Sequence, residues 1–436
     1  MRMCGAGVWL MPSTLGLADP GVESHLSGMF GHPRPPYPEE VTESVRQRGL
    51  DKITRLASQV GDVTSLWEGT TEVLSDVVPF YWTPCFYTMD PASLLVTSHF
   101  HYGLAEFPAA WLEQEYDGED VHTLVDVVLS DTGVSTLHGV TGGEPSGTRR
   151  WQQNMRLGGD QEMIARLRTR SGETWGAVGL YREPDRPMFD EADKAFLAAL
   201  SPVLAAGVRR GLLLGEAADP EWPDAPGLII LDEHLCVESR SPGAEQWLEV
   251  LPDQRSNALP PAVTAVAAKA LRSGEGPGGE VAIARVLSRQ GAWMVLHGAP
   301  LVAAPARRVA VIIEPARPER ILPLLMSAYG LTEREKDVVG LVLQGRSTAQ
   351  IASALFVSQH TIQQHLKSIF DKVDVRSRRD LVARLFFTHY EPRFRDNERR
   401  TADGKPLRGG PAAPAMPDRQ AGEQSPTGKH HPKEAR

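Results

Sequence analysis

From residue 331 onward, apolar residues recur in short helical blocks, each opened by a hydroxyl side chain. Thr332 with Glu335, and Ser347 with Gln350, have capping-box spacing. In that motif the hydroxyl and the residue three places on each satisfy an unpaired N–H at the helix start. The pattern predicts a first helix to about residue 344, with Gly345 as the left-handed residue that ends it. A short second helix follows to about residue 354. After Leu355, Phe356 and Val357, Ser358 is the natural N-cap of a third helix that runs to about residue 373. Two helices joined by so short a turn have helix-turn-helix spacing. At about 100° per residue, Ile362, Leu366, Ile369 and Val373 share one face of the third helix, while His360, Gln363, Gln364, Lys367 and Asp371 lie opposite.

Earlier in the chain the pattern changes repeatedly. Residues 1–40 are rich in Gly, Pro and Ser without periodicity and read as irregular. Over 39–74, apolar residues such as Ile53, Leu56, Leu66 and Val73 recur at helical spacing. Strands are predicted at 80–89 and 94–102, on either side of the Asp90-Pro91 turn, and at 161–169 and 174–181, around Ser171-Gly172. A long apolar helix at 191–214 closes this block. The proline-rich stretch 217–227 reads as a linker. Beyond it come strands near 228–231 and 235–238, helices near 244–250 and 263–271, and strands near 280–287, 292–297 and 308–314. Residues after 390 hold few large apolar side chains and are expected to be a disordered tail.

The expectation is an α+β multidomain chain. Its parts are an irregular segment 1–40, an α/β sensor-like domain 41–216, an α+β domain 227–316, an all-α tetrahelical domain 321–390 and a tail 391–436. Charge sharpens this division. The net charge is −9, yet residues 331–390 hold nine Lys/Arg against six Asp/Glu and residues 391–436 hold ten against seven, so the acidity belongs to the rest of the chain. A basic module on an acidic body is compatible with phosphate binding. Cys4, Cys85 and Cys236 are far apart and lack the spacing of a zinc site, so no metal and a reducing compartment are expected. The apolar stretch from Val8 to Met11 is too short for a signal-peptide core, and no run of 18 apolar residues occurs. A cytoplasmic protein without a membrane partner is the expectation.

The residues Leu331-Thr-Glu-Arg-Glu335, Gly345-Arg-Ser347, Ile351-Ala352, Leu355, Ser358, Thr361-Ile362, His365-Leu366, Ile369, Lys372-Val373 and Arg376-Ser-Arg378 resemble the LuxR-type DNA-binding domain. The resemblance implies a transcription regulator whose third helix enters the major groove of double-stranded DNA, with Gln363, Gln364 and Lys367 reading bases. Ser347, Thr348, Ser358, Thr361, Lys372 and Arg376 are assigned to the DNA backbone. It also implies a homodimer on DNA, with Val382, Leu385 and Phe386 of a fourth helix facing the partner. Two departures stand out: Ile362 replaces the commoner Val, and Asp374 stands where Gly is usual.

The run from Ser171 to Tyr181, followed by Phe189-Asp-Glu-Ala-Asp193, resembles the closing portion of a GAF domain. That implies a small-molecule pocket, for which Phe80, Tyr81, Trp82, Phe86, Tyr87, Trp111 and Trp151 are candidates beside the plainer reading of core aromatics. Residues 227–315 are similar to a PAS domain in strand order alone. His99 and His101 share a strand face without a third ligand. The Gly274-Glu-Gly-Pro-Gly-Gly279 run has the letters of a dinucleotide motif but lies between a helix and a strand, the reverse of what that motif needs. No cofactor is expected, and no catalytic constellation points to an enzyme. The leading expectation is a one-component regulator, with a small-molecule effector and RNA polymerase as further partners. A non-enzymatic adaptor and an enzyme with an appended DNA-binding domain are the alternatives.

Overall fold

The computed structural model describes residues 41–386, apart from 60, 102–111, 113, 117, 119, 215–224, 254–257, 274–281, 302–306 and 317, together with 401–402. The helical stretch anticipated over 39–74 is two elements, α1 (Glu43–Gln59) and α2 (Val63–Val77). They part at Asp62, whose carboxylate accepts from the Ser65 N–H at 2.9 Å and so starts a new helix.

Five strands form the first sheet: β1 (Cys85–Met89), β2 (Val96–Phe100), β3 (Val134–Thr136), β4 (Gln161–Arg168) and β5 (Thr174–Arg182). They are antiparallel in the order β2-β1-β5-β4-β3. Between β2 and β4 lie α3 (Leu124–Leu129), α4 (Leu137–Val140) and α5 (Arg149–Arg156), short elements that the hydrophobic pattern did not predict. The predicted long helix is α6 (Glu191–Leu214). Phe86, Met163, Val178 and Leu180 on one sheet face pack with Ile53, Leu66, Leu74, Leu200 and Leu204 of the helical layer. The other face carries Tyr87, Met89, Ile164, Ala177 and Tyr181. With both faces covered, every residue of β5 is buried, which explains its lack of apolar–polar alternation. The segment Glu191–Leu212 is long and apolar enough to cross a membrane by length and composition alone; in this fold half of it is buried.

A second antiparallel sheet comprises β6 (Gly227–Asp232), β7 (Val237–Arg240), β8 (Ala282–Leu287), β9 (Trp293–Leu301) and β10 (Arg308–Pro315). Its order, β7-β6-β10-β9-β8, repeats the second-first-fifth-fourth-third arrangement of the first sheet. The helices α7 (Ala244–Val250) and α8 (Pro261–Ser273) accompany it. Gly298 of β9 lets α8 sit close: a Cβ there would lie 2.7 Å from both Cγ1 and the carbonyl oxygen of Val266. The two sheets share one continuous apolar core. The Asp90 carboxylate, in the β1–β2 turn, accepts from Arg285 of β8 through Nε at 2.9 Å and Nη2 at 2.5 Å, a buried bidentate pair that ties the sheets together.

The candidate pocket aromatics divide in this fold. Trp82 and Phe86 are core residues, and Phe86 stacks on Trp67 at 4.4 Å between ring centroids. Trp151 donates its indole N–H to Asp160 at 2.9 Å. Of the seven, Tyr87 lines a cleft on the second face of the first sheet. Trp111, the glycine-rich run 274–279 and most of the linker 217–227 lie outside the described residues.

The last domain is helical: α9 (Pro318–Ala328), α10 (Glu333–Leu343), α11 (Thr348–Ala354), α12 (Gln359–Val373) and α13 (Arg378–Phe386). It has its own core, built from Leu331, Val338, Val342, Ile351, Ile362, Leu366, Ile369, Leu381 and others.

Candidate nucleic-acid interface

Both capping boxes are closed on the two sides. Thr332 Oγ1 accepts from the Glu335 N–H at 3.3 Å, and the Glu335 carboxylate accepts from the Thr332 N–H at 2.7 Å. Ser347 and Gln350 repeat the exchange at 3.3 and 2.8 Å. Gly345 lies at φ +77°, the left-handed conformation that ends α10. Ser358 caps α12 by accepting from the Thr361 N–H at 3.0 Å, and its hydroxyl also bonds the Thr361 hydroxyl at 2.8 Å. Asp374 takes φ +57°, ψ +54° at the end of α12, so the position where glycine is usual is one where the backbone is left-handed. Phe356, in the turn between α11 and α12, is also left-handed and is 94% exposed.

On α12, Ile362, Leu366, Ile369 and Val373 are buried, while Gln363, Gln364 and Lys367 are exposed along the other side. The Gln364 amide and the His360 ring nitrogen are 3.1 Å apart, within hydrogen-bond distance one helical turn away. Arg376 is exposed just beyond the helix, and Thr348 is half-buried at the start of α11. The hydroxyls of Ser347, Ser358 and Thr361 are engaged in caps at two neighbouring helix starts.

Two assigned residues have different surroundings from those expected. Lys372 is committed within the domain: its Nζ lies 2.5 Å from the Glu335 carboxylate, which is itself 3% exposed. Glu335 also accepts from the Ser368 hydroxyl at 2.7 Å. Burial pushes the Glu335 carboxyl up, but hydrogen bonds from Lys372, Thr332 and Ser368 outweigh burial and hold it down at about 2. Lys372 thus serves as counter-ion to Glu335 while its own side chain stays 33% exposed. Leu385 is the second correction. It is 0% exposed inside the domain's own core, because its spacing of four from buried Leu381 turns both toward that core. It is not available to a partner. Val382 is half-buried against the same core, and nothing is described of the Phe386 side chain.

Sequence reasoning missed two cations that brace the connections on either side of α11. Arg334 of α10 donates Nη2 to the Leu355 carbonyl at 2.6 Å, and Arg378 of α13 donates to the Arg346 carbonyl. No periodic signal marks either, since both act through backbone carbonyls that any residue supplies. Glu335 was legible as a cap but not as the hub for Ser368 and Lys372, although those two stand one turn apart on α12.

Residues 330–385 match the family of bacterial regulatory proteins of the luxR type. Over 55 residues the chain is 38% identical to the spore germination protein GerE of Bacillus subtilis (strain 168), a match that spans 13% of this chain and 74% of that one. It is 34% identical over 67 residues to the transcriptional regulatory protein DesR of the same organism, spanning 15% of this chain and 34% of that one. Several relatives that it matches are thus spanned over only about a quarter to a third of their length. The phycoerythrobilin-bound GAF domain of a cyanobacterial phytochrome aligns with 39% of the chain and 97% of its own length, at 14% identity and a TM-score of 0.30, a likeness too distant to argue from. The match over 330–385 coincides with the domain whose caps, turn and exposed stripe are described above, and through that domain the chain belongs to the luxR family of bacterial regulatory proteins.

Proposed function

We propose that this protein is a sequence-specific regulator of transcription that binds double-stranded DNA through α12, in the cytoplasm, as a homodimer on its operator and with RNA polymerase as a downstream partner. The observation that carries this reading is the exposed row Gln363, Gln364 and Lys367, set opposite the buried stripe of a capped helix behind a short turn. Glutamine pairs with the adenine edge through two hydrogen bonds, and lysine donates to guanine acceptors or phosphate. The first test is a gel shift with residues 318–390, which contain a complete core of their own. Binding to duplex DNA at low salt is the expected result, and none at any salt would refute it.

The earlier domains are proposed to sense a small molecule and to control dimerisation or DNA access. A physical connection supports this. The β4–β5 hairpin of the first sheet carries Glu173, whose carboxylate lies 3.8 Å from Lys336 Nζ on α10. The helix α9 also packs on α6. Strands that wall the first domain thus reach the base of the DNA-binding domain directly.

Asp374 gives a prediction that separates charge from backbone conformation. It is exposed and left-handed, so Asp374→Gly meets no conformational barrier. Removing a negative charge beside the groove is expected to tighten DNA binding by roughly two- to fivefold at low salt, on the scale of a surface charge interaction in water. The gain should vanish at high salt through screening. Equal affinities of the two proteins at low salt would place Asp374 away from DNA.

A further inference from the structure

Between Leu325 and Leu331 the chain passes directly from the core of the sheet domains into that of the DNA-binding domain. Ile321 and Leu325 of α9 are 5% and 1% exposed, in the core that also holds Leu204 and Val208 of α6 and Trp293 and Val295 of β9. Leu331 is buried in the helical domain's own core, against which Met326 and Tyr329 also pack. One helix is therefore set into two cores. The connection that follows it is a closed turn and not a tether. Gly330 is left-handed at φ +69°, its N–H donates to the Ser327 carbonyl at 2.9 Å, and the Leu331 N–H donates to the Met326 carbonyl at 3.1 Å. This is the Schellman pattern at a helix end. Thr332 then caps α10 without any intervening segment. A Cβ at Gly330 would lie 2.8 Å from Arg209 Nη1, so α6 reaches the turn itself.

A second attachment holds the same domain from another element. The Thr169 hydroxyl donates to the Glu173 carboxylate at 2.6 Å, and the Ser171 hydroxyl donates to it as well. Burial pushes the Glu173 carboxyl up, but the hydrogen bonds from Ser171 and Thr169, with Lys336 beyond them, outweigh burial and hold it below its ordinary value. The β4–β5 turn thus offers a fixed negative charge. Lys336 Nζ of α10 lies 3.8 Å from it and 2.7 Å from Glu333, and the Glu173 and Lys336 side chains are each 16% exposed. Attachment at α9 alone would leave the helical domain free to swing about that helix, and the contact at α10 removes this freedom. Docking leaves the reading row uncovered, since Gln363, Gln364 and Lys367 are all exposed. The junction therefore does not block DNA; it sets the direction in which α12 points.

We propose that this junction determines operator specificity: by fixing α12 relative to the sheet domains, it makes the homodimer accept one spacing between half-sites and discriminate against others. The proposal rests on the reading of the protein as a DNA-binding homodimer given above. Each base pair inserted between two half-sites moves one of them by about 3.4 Å and turns it by about 35° around the duplex. A domain on a flexible linker absorbs such a displacement with a gradual fall in effective concentration. A docked domain follows it only by separating Glu173 from Lys336 and drawing Ile321 and Leu325 out of their core, so operators of the wrong spacing are penalised.

The probe is the half-site recovered by selection from a random-sequence pool, used as a single copy and as inverted pairs whose centres stand from about half to about one and a half helical turns apart. Binding of the full chain is expected to peak at one spacing and to fall at least about tenfold when the half-sites are moved by half a turn. Two variants loosen the junction without touching the reading row. Glu173→Lys sets like charges against each other at Lys336 and is expected to broaden the peak; a short Gly-Ser segment inserted after Gly330 is expected to level it. Both should keep the wild-type affinity for the single half-site, which reports a folded module. If the insertion loses that affinity, Glu173→Lys decides. Wild-type binding that is alike at all spacings, or a peak of wild-type sharpness in Glu173→Lys or in a folded insertion variant, would overturn the proposal. Cooperative binding of pairs at every spacing would do so while leaving the homodimer reading intact, whereas pairs that bind no more tightly than one copy would remove that reading and the proposal together.

Discussion

Replacing Glu335 by alanine is expected to destabilise the helical domain by about 3 kcal/mol, enough to unfold a marginal domain in a fraction of molecules. The carboxylate is 3% exposed and accepts from the Thr332 N–H, the Thr332 and Ser368 hydroxyls and the Lys372 ammonium. Truncation strands all of these donors and opens the first capping box as well. The same group makes the domain acid-sensitive. Its folded value of about 2 lies below the ordinary 4.5, so the stability it contributes is fully present above about pH 5. That stability is lost as the pH falls through the folded value. Hydrogen exchange on the full chain reads this directly. Protection in α10 and α12 should collapse in Glu335→Ala at neutral pH. In Glu335→Gln, protection should lose its dependence on pH between 5 and 2 that comes from this group. Unchanged protection in both variants would show that the network contributes nothing. Lys372→Met belongs to the same series: it should lower protection while leaving the salt dependence of DNA binding as it was, the opposite of what a phosphate-contacting lysine would do.

Alanine at Gln363 or Gln364 is expected to cost roughly 1 to 3 kcal/mol of binding at a cognate duplex, a loss of about five- to 150-fold, and almost nothing on a scrambled duplex. Both side chains project from the exposed side of α12 and contribute nothing to the core, so the fold should survive the change. The two positions differ in one respect. Gln364 is within hydrogen-bond distance of His360, so its amide is already oriented, whereas Gln363 has no such neighbour among the described residues. A pre-oriented amide loses less freedom on binding, and Gln364→Ala should accordingly show the larger loss. Binding titrations on both duplexes measure the effect. Equal losses on cognate and scrambled DNA would mean that neither glutamine reads a base.

The helical domain was legible in the sequence because its signals are local. Thr332, Ser347 and Ser358 each state a helix start within four residues, Gly345 states an end, and four apolar residues on one face of α12 state the core. What escaped depends on partners distant in sequence. Glu335 meets Lys372 across 37 residues, and Leu385 looks like a surface residue of a fourth helix until Leu381 is seen turning the same face inward. In the first domain, β5 and most of β4 are buried on both sides, so apolar residues mark strands without stating which face is which. The polar helix α5 carried no apolar stripe, because its buried members, Arg150 and Asn154, are polar. That is why the cleft beside it could not be read from aromatic residues, of which Tyr87 alone among the described candidates borders it. The matching strand order of the two sheets was likewise beyond reach, since the order of strands depends on pairings that no local pattern specifies.

The most direct test of the central claim is selection of duplexes by the purified full chain from a random-sequence pool, followed by affinity measurements on the selected site across a range of salt concentrations. The account predicts a reproducible consensus, binding that weakens steeply with salt as counterions return to freed phosphates, and a consensus that changes in Gln363→Ala and Gln364→Ala. A pool that remains random after repeated selection, with no duplex binding at low salt, would contradict it.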